Sequence, residues 1–574
     1  MNPFNPIYTE KTECQDCYKC VRECPVKAIQ VKDGHAEVID ADCILCGHCV
    51  TVCPMQAKKV RFDLERVKQL LLRKEKVIVS LAPSYKSEFL GVSESQMISA
   101  LKKLGFYAVS ETALGAQIVS AHVAEIIEQK GPGVYISSAC PVVVDYIKKY
   151  KTEHVEDVLE VFSPVLAHCQ YLRQIHGKDC RIVFISPCIA KKKEADTYAD
   201  LLNVALTFKD LREWLIAENI APETMPNKKK DQFFPHKSLE GALYPVDGGM
   251  IAGIKAVMDK PDNVFFMAVS GMQNITQTLT DIEVLKNKRP IFLETLACEG
   301  GCINGPTVKQ RAATGVKRYT VIQSCDYHNQ KIERNLLIPD ITMPIEPCKK
   351  FLSEFSDEQV REVLNQLGKY TDHDELNCSG CGYDSCKDLV QAYLNGRAEK
   401  TMCVSYMRKL AQKKASALLS AMPSGVVIVN SKCQVIECNR QFAQLMGDDL
   451  VKIYDDLGNL DSANINKITP FGSLFQRVLE SEADIINREY RGVNIIYHIS
   501  IFTIEPKTIV GGIIQDITKP AGQKEHIVRK SQEVIKKQLA TVQKIAYLLG
   551  ENAAESEVLL DSIIKSFTLE KADE

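Results

Sequence analysis

The chain of 574 residues has almost no net charge, because 71 basic side chains meet 73 acidic ones and leave −2 at neutral pH. It therefore projects no field that would gather nucleic acid or an anionic membrane surface. No run approaches the ~18 consecutive apolar residues of a membrane helix, which excludes a spanning segment. The start, MNPFNPIYTEKTEC, has no basic stretch followed by an apolar one. No secretory leader is expected, and the reading places the chain in the cytoplasm. Apolar residues are enough for ordinary cores, and the length suggests about three to five folded units. The charge runs LKNKRP and NKKKDQ read as solvated loops.

Cysteine is what the chain has in excess. There are 22, mostly in tight clusters between Cys14 and Cys403. Disulfide scaffolds are usually short and secreted, so clustered thiols in a long leaderless chain point to metal ligation. Cys14, Cys17, Cys20 and Cys24 precede a proline, and Cys43, Cys46, Cys49 and Cys53 repeat the pattern. Three cysteines two residues apart wrap one [4Fe–4S] cubane, and the fourth reaches across to the other. The expected sets are Cys14, Cys17, Cys20 and Cys53, and Cys43, Cys46, Cys49 and Cys24. Zinc sites do not use this run twice with a trailing proline. This portion is bacterial-ferredoxin-like, an electron relay.

From Val77 to about residue 345, short apolar runs alternate with amphipathic helical patterns, the mark of an α/β domain. Val77–Pro83, VYIS (134–137), RIVFIS (181–186), NVFFMAVS (263–270) and IFLETLA (291–297) read as buried strands. Three cysteine motifs follow such strands: SSACP, SPCIAKKKE and ETLACEGGCING. They are expected to converge at one sheet edge, where Cys140, Cys188, Cys298 and Cys302 would hold a third cubane.

These motifs resemble the three signatures of [FeFe]-hydrogenases, TSCCP, MPCxxKxxE and ExMxCxxGCxxG, and with the front portion the match covers about residues 1–310. The resemblance implies an H-cluster: a [4Fe–4S] cubane on those four cysteines, with Cys302 bridging to a diiron unit carrying CO, cyanide and an azadithiolate. It implies that Lys191 hydrogen-bonds one cyanide, that Ala82-Pro83-Ser84 holds the second, and that Glu194 orients the lysine. Several positions depart from the family. Ala139 stands where the family has a proton-carrying cysteine, and Ser186 and Leu296 replace two methionines. Alanine cannot titrate, so turnover should fall by the ~10²–10⁴-fold that general acid–base transfer contributes. The relay is expected to continue through Ser163 and through helix positions Glu125 and His122. His122 reads either as a replacement proton carrier or as a structural histidine.

Cys378, Cys381, Cys386 and Cys403 resemble a small four-cysteine iron–sulfur domain; one [4Fe–4S] is the expected occupant, with zinc the alternative. The six other cysteines, Cys169, Cys180, Cys325, Cys348, Cys433 and Cys438, are expected to pack. SGVVIVNSKCQVIECNRQFAQLMG, with Asn439, and the closing GGIIQDIT resemble a PAS domain without an evident haem or flavin ligand set; His498 reads as structural. In the last segment Val528, Ile535, Val542 and Leu549 recur every seven residues, which suggests either a helix paired in a homodimer or one packed on its own domain.

The fold class is thus multidomain α/β and α+β: a ferredoxin-like domain over 1–65, the α/β H-cluster domain over 66–350, a small helical Fe–S domain over 351–410, a PAS domain over 411–520 and a C-terminal helix over 521–574. The leading functional reading is a sensory [FeFe]-hydrogenase of low turnover, which splits dihydrogen into protons and electrons slowly and reversibly. It would pass the signal to an unidentified partner, a kinase or phosphatase. The alternative is a catalytic enzyme exchanging electrons with a ferredoxin-type carrier.

Overall fold

The computed structural model describes residues 5–518 and 533–542, apart from 74, 286–288, 310–311, 329, 333–339, 349–352, 354 and 493–494. It divides into two units, Met1–Met402 and Cys403–Glu574.

The first unit begins with β1 (Ile7–Thr9), β2 (Ile29–Lys32), β3 (His35–Val38) and β4 (Lys58–Val60). β1 pairs with β4 and β2 with β3, both antiparallel, so the two cysteine runs lie between small ribbons. Seven strands follow: β5 (Val77–Leu81), β6 (Ala108–Glu111), β7 (Gly133–Ile136), β8 (Arg181–Ser186), β9 (Val204–Thr207), β10 (Phe265–Ser270) and β11 (Pro290–Leu296). They form two parallel sheets, ordered β6-β5-β8-β9 and β10-β11-β7, instead of the single edge expected from sequence. Parallel strands covered on both faces read as continuous apolar runs, as β5 and β8 do. β6 and β9 escape that reading. Each is only four residues long, and β6 spells AVSE. Its Glu111 is buried because Ser238 donates to it through both N–H (3.1 Å) and hydroxyl (2.7 Å).

The second unit opens with the helix Val404–Ala421 and contains β12 (Gly425–Asn430), β13 (Val435–Cys438), β14 (Ile485–Arg491), β15 (Ile496–Glu505) and β16 (Ile509–Asp516). These make one antiparallel sheet, ordered β13-β12-β16-β15-β14. Successive strand residues face opposite sides. Val427, Ile501 and Ile514 pack with the helices between β13 and β14, whereas Val426, Phe502 and Ile513 pack with Ala415 and Leu419 of the leading helix.

Of the two readings of the heptad, residues 533–542 fit the helix packed on its own domain. Within 533–542, Ile535 and Val542 are buried, and Val542 with Leu539 joins the cluster of Ala415, Leu419 and Phe502 in this same unit. These positions spend their apolar surface on the chain's own domain and give no argument for a paired helix. Val528 and Leu549 lie outside the described residues.

Asn439 ties this unit together. Its Oδ1 accepts from Phe442 N (2.9 Å) and Val426 N (2.8 Å), and its Nδ2 donates to Leu419 O (3.0 Å) and Ser424 O (2.8 Å). It caps the helix Arg440–Met446 and holds the leading helix to β12 at once. Asn439→Ala should lose about 1 kcal/mol as a cap, with a further ~1–3 kcal/mol for each buried group left unpaired. Thermal unfolding of this unit tests that; a melting point unchanged within a degree would contradict it. Among the described residues no helix is long and apolar enough to cross a membrane.

Candidate functional site

The two N-terminal cysteine runs fold alike. Asp16, Tyr18 and Lys27 have positive φ (51, 53 and 49°), and so do Leu45, Gly47 and Gln56 (57, 77 and 53°) at the same places in the second run. Left-handed non-glycine residues are uncommon. Repeated at the same places in both loops, they give the two runs the same turns. The sulfurs of Cys24 and Cys53 accept from Ala28 N and Ala57 N, both at 3.3 Å.

The thiols sort into two groups. After Lys58, the charges nearest Cys20 are those of Cys17, Cys14 and Cys53. Cys43, Cys46 and Cys49 neighbour one another and Cys24. Burial pushes Cys20 and Cys43 up to about 11 and Cys46 up to about 12. Such thiols keep their protons at neutral pH unless a metal takes the proton's place.

The central domain encloses a cavity of about 110 Å³. Cys140 follows β7, Cys188 follows β8, Cys298 and Cys302 follow β11, and all four reach this cavity. Pro83 and Ser84, which follow β5, also line it. The site therefore lies where the carboxyl ends of both parallel sheets meet. Cys46 of the N-terminal domain completes one wall. The approach is close: a Cβ on Gly47 would sit 2.5 Å from Pro306 Cβ and 2.8 Å from Ile189 Cδ1. Burial pushes Cys188 up to about 11 and raises Cys298 and Cys302 well above the usual thiol range.

The run of three lysines after Cys188 has three destinations, as consecutive helical positions must. Lys191, 7% exposed, lines the cavity and donates to Ser163 Oγ (2.9 Å) and Glu194 Oε2 (2.5 Å). An ammonium has three N–H bonds, so one is left for a group in the cavity. Lys192 is fully buried between Asp63 Oδ2 (3.0 Å) and Asp210 Oδ2 (2.7 Å), which pins the helix Ala190–Thr197. Lys193 pairs with Asp145 at 2.8 Å. Ser84 Oγ is buried without a hydrogen-bond partner on the same wall. Four thiols, a cation and an unsatisfied hydroxyl around an apolar cavity fit an anionic, thiolate-held metal group.

Ala139, Ser186 and Leu296 also line the cavity. Glu125 and His122 do not. Ala113 and Ala116 bring the helix Ala113–Lys130 to the cavity, but Glu125 lies ~13 Å further along its axis. Glu125 is exposed and accepts from Gln129 at 3.2 Å, and His122 is half-buried near Asp340. A relay through them would need further groups between the cavity and this part of the helix. The inward face carries Gln117, bonded to Glu240 (3.1 Å), and Ser120, bonded to the cavity residue Tyr244 (2.9 Å).

Glu294 was quoted in the third motif without a role. It is buried on β11, accepts from Ile251 N at 3.1 Å, and has Oε1 without a partner. Burial pushes it up to about 7. A glutamate inside IFLETLA was the visible signal.

Cys381 and Cys386 are buried and Cys378 exposed; Cys386 N donates to Asn377 Oδ1 at 2.8 Å. Cys403 caps the helix Val404–Ala421. Cys169, Cys180, Cys325, Cys433 and Cys438 are buried as expected, but Cys348 is exposed and has no packing role. His498 is half-buried on β15.

Residues 75–306 match the family "Iron only hydrogenase large subunit, C-terminal domain". The central domain thus matches a domain of the iron-only hydrogenase large subunit. Around this hydrogenase domain, residues 6–54 match a 4Fe-4S dicluster domain, 374–405 an Fe–S cluster family and 414–481 the PAS domain. The chain is similar to iron hydrogenase 1 of Clostridium pasteurianum, at 25% identity over 42% of this chain and 52% of that one. It thus spans about half the length of that relative. It is also similar to the periplasmic [Fe] hydrogenase large subunit of Nitratidesulfovibrio vulgaris, at 24% identity over 52% of this chain and 85% of the relative. The solved [FeFe]-hydrogenase HydA1 of Chlamydomonas reinhardtii aligns at 18% identity over 46% of this chain and 91% of its own, with a TM-score of 0.38.

Proposed function

We propose that this chain is a sensory [FeFe]-hydrogenase that oxidises dihydrogen slowly and reversibly and signals through its PAS unit. One observation carries the reading: Cys140, Cys188, Cys298, Cys302 and Lys191 line one cavity that has alanine at position 139. Cys140, Cys188, Cys298 and Cys302 would hold an H-cluster. When bound, that group supplies the metal centre at which dihydrogen is split. Lys191, oriented by Glu194 and Ser163, and Ser84 would donate hydrogen bonds to its cyanides. Ala139 offers no proton acceptor beside the cavity, which slows proton exit.

Two further [4Fe–4S] groups on the N-terminal runs and one in 374–405 would carry electrons towards the PAS unit. A separate partner of kinase or phosphatase type, in the cytoplasm, would read that unit. A homodimer remains part of the proposal without support from residues 533–542. The second reading, a catalytic hydrogenase exchanging electrons with a ferredoxin-type carrier, is favoured by the exposure of Cys17 in the first run.

Rate separates them. With the matured protein under dihydrogen, the sensory reading expects the iron–sulfur absorbance to bleach fully while turnover with a dye acceptor stays ~10²–10⁴-fold below that of a cysteine-bearing hydrogenase. Turnover equal to such an enzyme would favour the catalytic reading.

A further inference from the structure

The Cys378–Cys386 loop is built onto the first cysteine run, although more than half the chain separates them. Arg22 Nη1 donates to Gly380 O (3.3 Å), Lys27 Nζ donates to Gly382 O (2.8 Å), and Lys27 lies 3.7 Å from Asp384. Behind this contact, Val31 N donates to Arg397 O (2.9 Å) and the Arg397 guanidinium pairs with Asp42 (2.5 Å). Gly382 has φ +95°, and a Cβ there would lie 2.9 Å from Val21 Cγ1 and 3.1 Å from Arg22 N. The backbones approach as closely as glycine allows.

Tyr383 occupies the seam. Its side chain is 5% exposed, and the charges around its phenol are the thiol of Cys381 on its own loop, then Arg397, then the thiol of Cys24. Cys24 belongs with Cys43, Cys46 and Cys49. On its other side that same group meets the hydrogenase cavity, where Cys46 is a wall residue and a neighbour of Cys298. Gly47 and Gly382, each one residue after a cysteine and each at positive φ, thus mark the two seams of one group. The Arg397–Asp42 pair stands one residue before Cys43, and the Lys27 bond to Gly382 O stands three residues after Cys24.

We propose that the docked loop and Tyr383 form the electron exit from the Cys24–Cys43–Cys46–Cys49 group to the Cys378–Cys386 loop, with the Cys14–Cys17–Cys20–Cys53 group as a side branch. The step is a one-electron oxidation on one side of the seam and a one-electron reduction on the other, with no bond made or broken. A buried aromatic ring between them excludes water and keeps the gap filled. The inference rests on the iron–sulfur reading of these cysteines, and on the hydrogenase reading only for the source of electrons.

The test is electron paramagnetic resonance of the reconstituted full chain, reduced with dithionite. The signal that vanishes in Cys381→Ser belongs to the 374–405 region. It is expected to be broadened by a nearby reduced centre. The broadening should persist in Cys17→Ser and be lost in Cys46→Ser. It should also be lost in Gly382→Leu, which retains every cysteine and moves only the loop. An unbroadened signal in the unaltered chain overturns the proposal, as does broadening lost in Cys17→Ser and kept in Cys46→Ser. Because dithionite supplies the electrons, a chain reduced by dithionite but not by dihydrogen would tell against the hydrogenase reading alone.

Discussion

Replacing Ala139 by cysteine raises dihydrogen turnover by ~10²–10⁴-fold if the missing proton carrier limits the rate. The argument is local. Ala139 lines the cavity, is the residue before Cys140, and has its backbone fixed by an N–H bond to Ser137 Oγ at 3.2 Å. A side chain added there enters the site without disturbing a strand. Neither Glu125 nor His122 lines the cavity, so neither stands beside Ala139. The measurement is dye-linked dihydrogen oxidation and proton reduction for both proteins, matched for cofactor content. Equal rates would show that another step, such as electron exit, sets the pace.

Lys191→Met should abolish retention of the diiron part and also destabilise the domain. Breaking a buried ion pair by removing one partner typically costs about 3–5 kcal/mol, because the other charge is left buried. Here that charge is Glu194, whose carboxylate lies 2.5 Å from the ammonium with both side chains 9% exposed. The double variant Lys191→Met/Glu194→Gln removes the stranded charge and should recover most of the stability. It should not recover the cofactor, because the cationic N–H donor is still missing. Thermal unfolding and iron content together separate the two effects. A double variant that binds the full cofactor complement would refute the role assigned to Lys191.

The iron–sulfur chemistry was legible in the sequence because local spacing creates it. Cys14 to Cys24 and Cys43 to Cys53 are close along the chain, and their loops needed no distant partner to be read. The cavity cysteines were legible as motifs, but the two sheets that assemble them were not, since which strands pair, such as β11 with β7, depends on contacts between distant runs. That Glu125 and His122 stand away from the cavity wall was not legible from position along a helix. The inward residues of that helix are defined by bonds from Ser120 to Tyr244 and from Gln117 to Glu240, contacts over more than a hundred residues. The heptad left two readings open for a different reason. A seven-residue period says that one face is apolar, not whether a second chain or the protein's own Leu419 and Phe502 cover it.

The seam at Gly382 was invisible for the same reason as the helix contacts. Nothing in CSGCGYDSC announces that its glycine faces Val21 and Arg22.

The most direct test of the account is infrared spectroscopy of the matured protein, first under inert gas and then under dihydrogen. The account predicts intrinsic CO and cyanide bands that shift reversibly with the gas. Absence of those bands after confirmed maturation would contradict it and reduce the hydrogenase domain to an iron–sulfur scaffold.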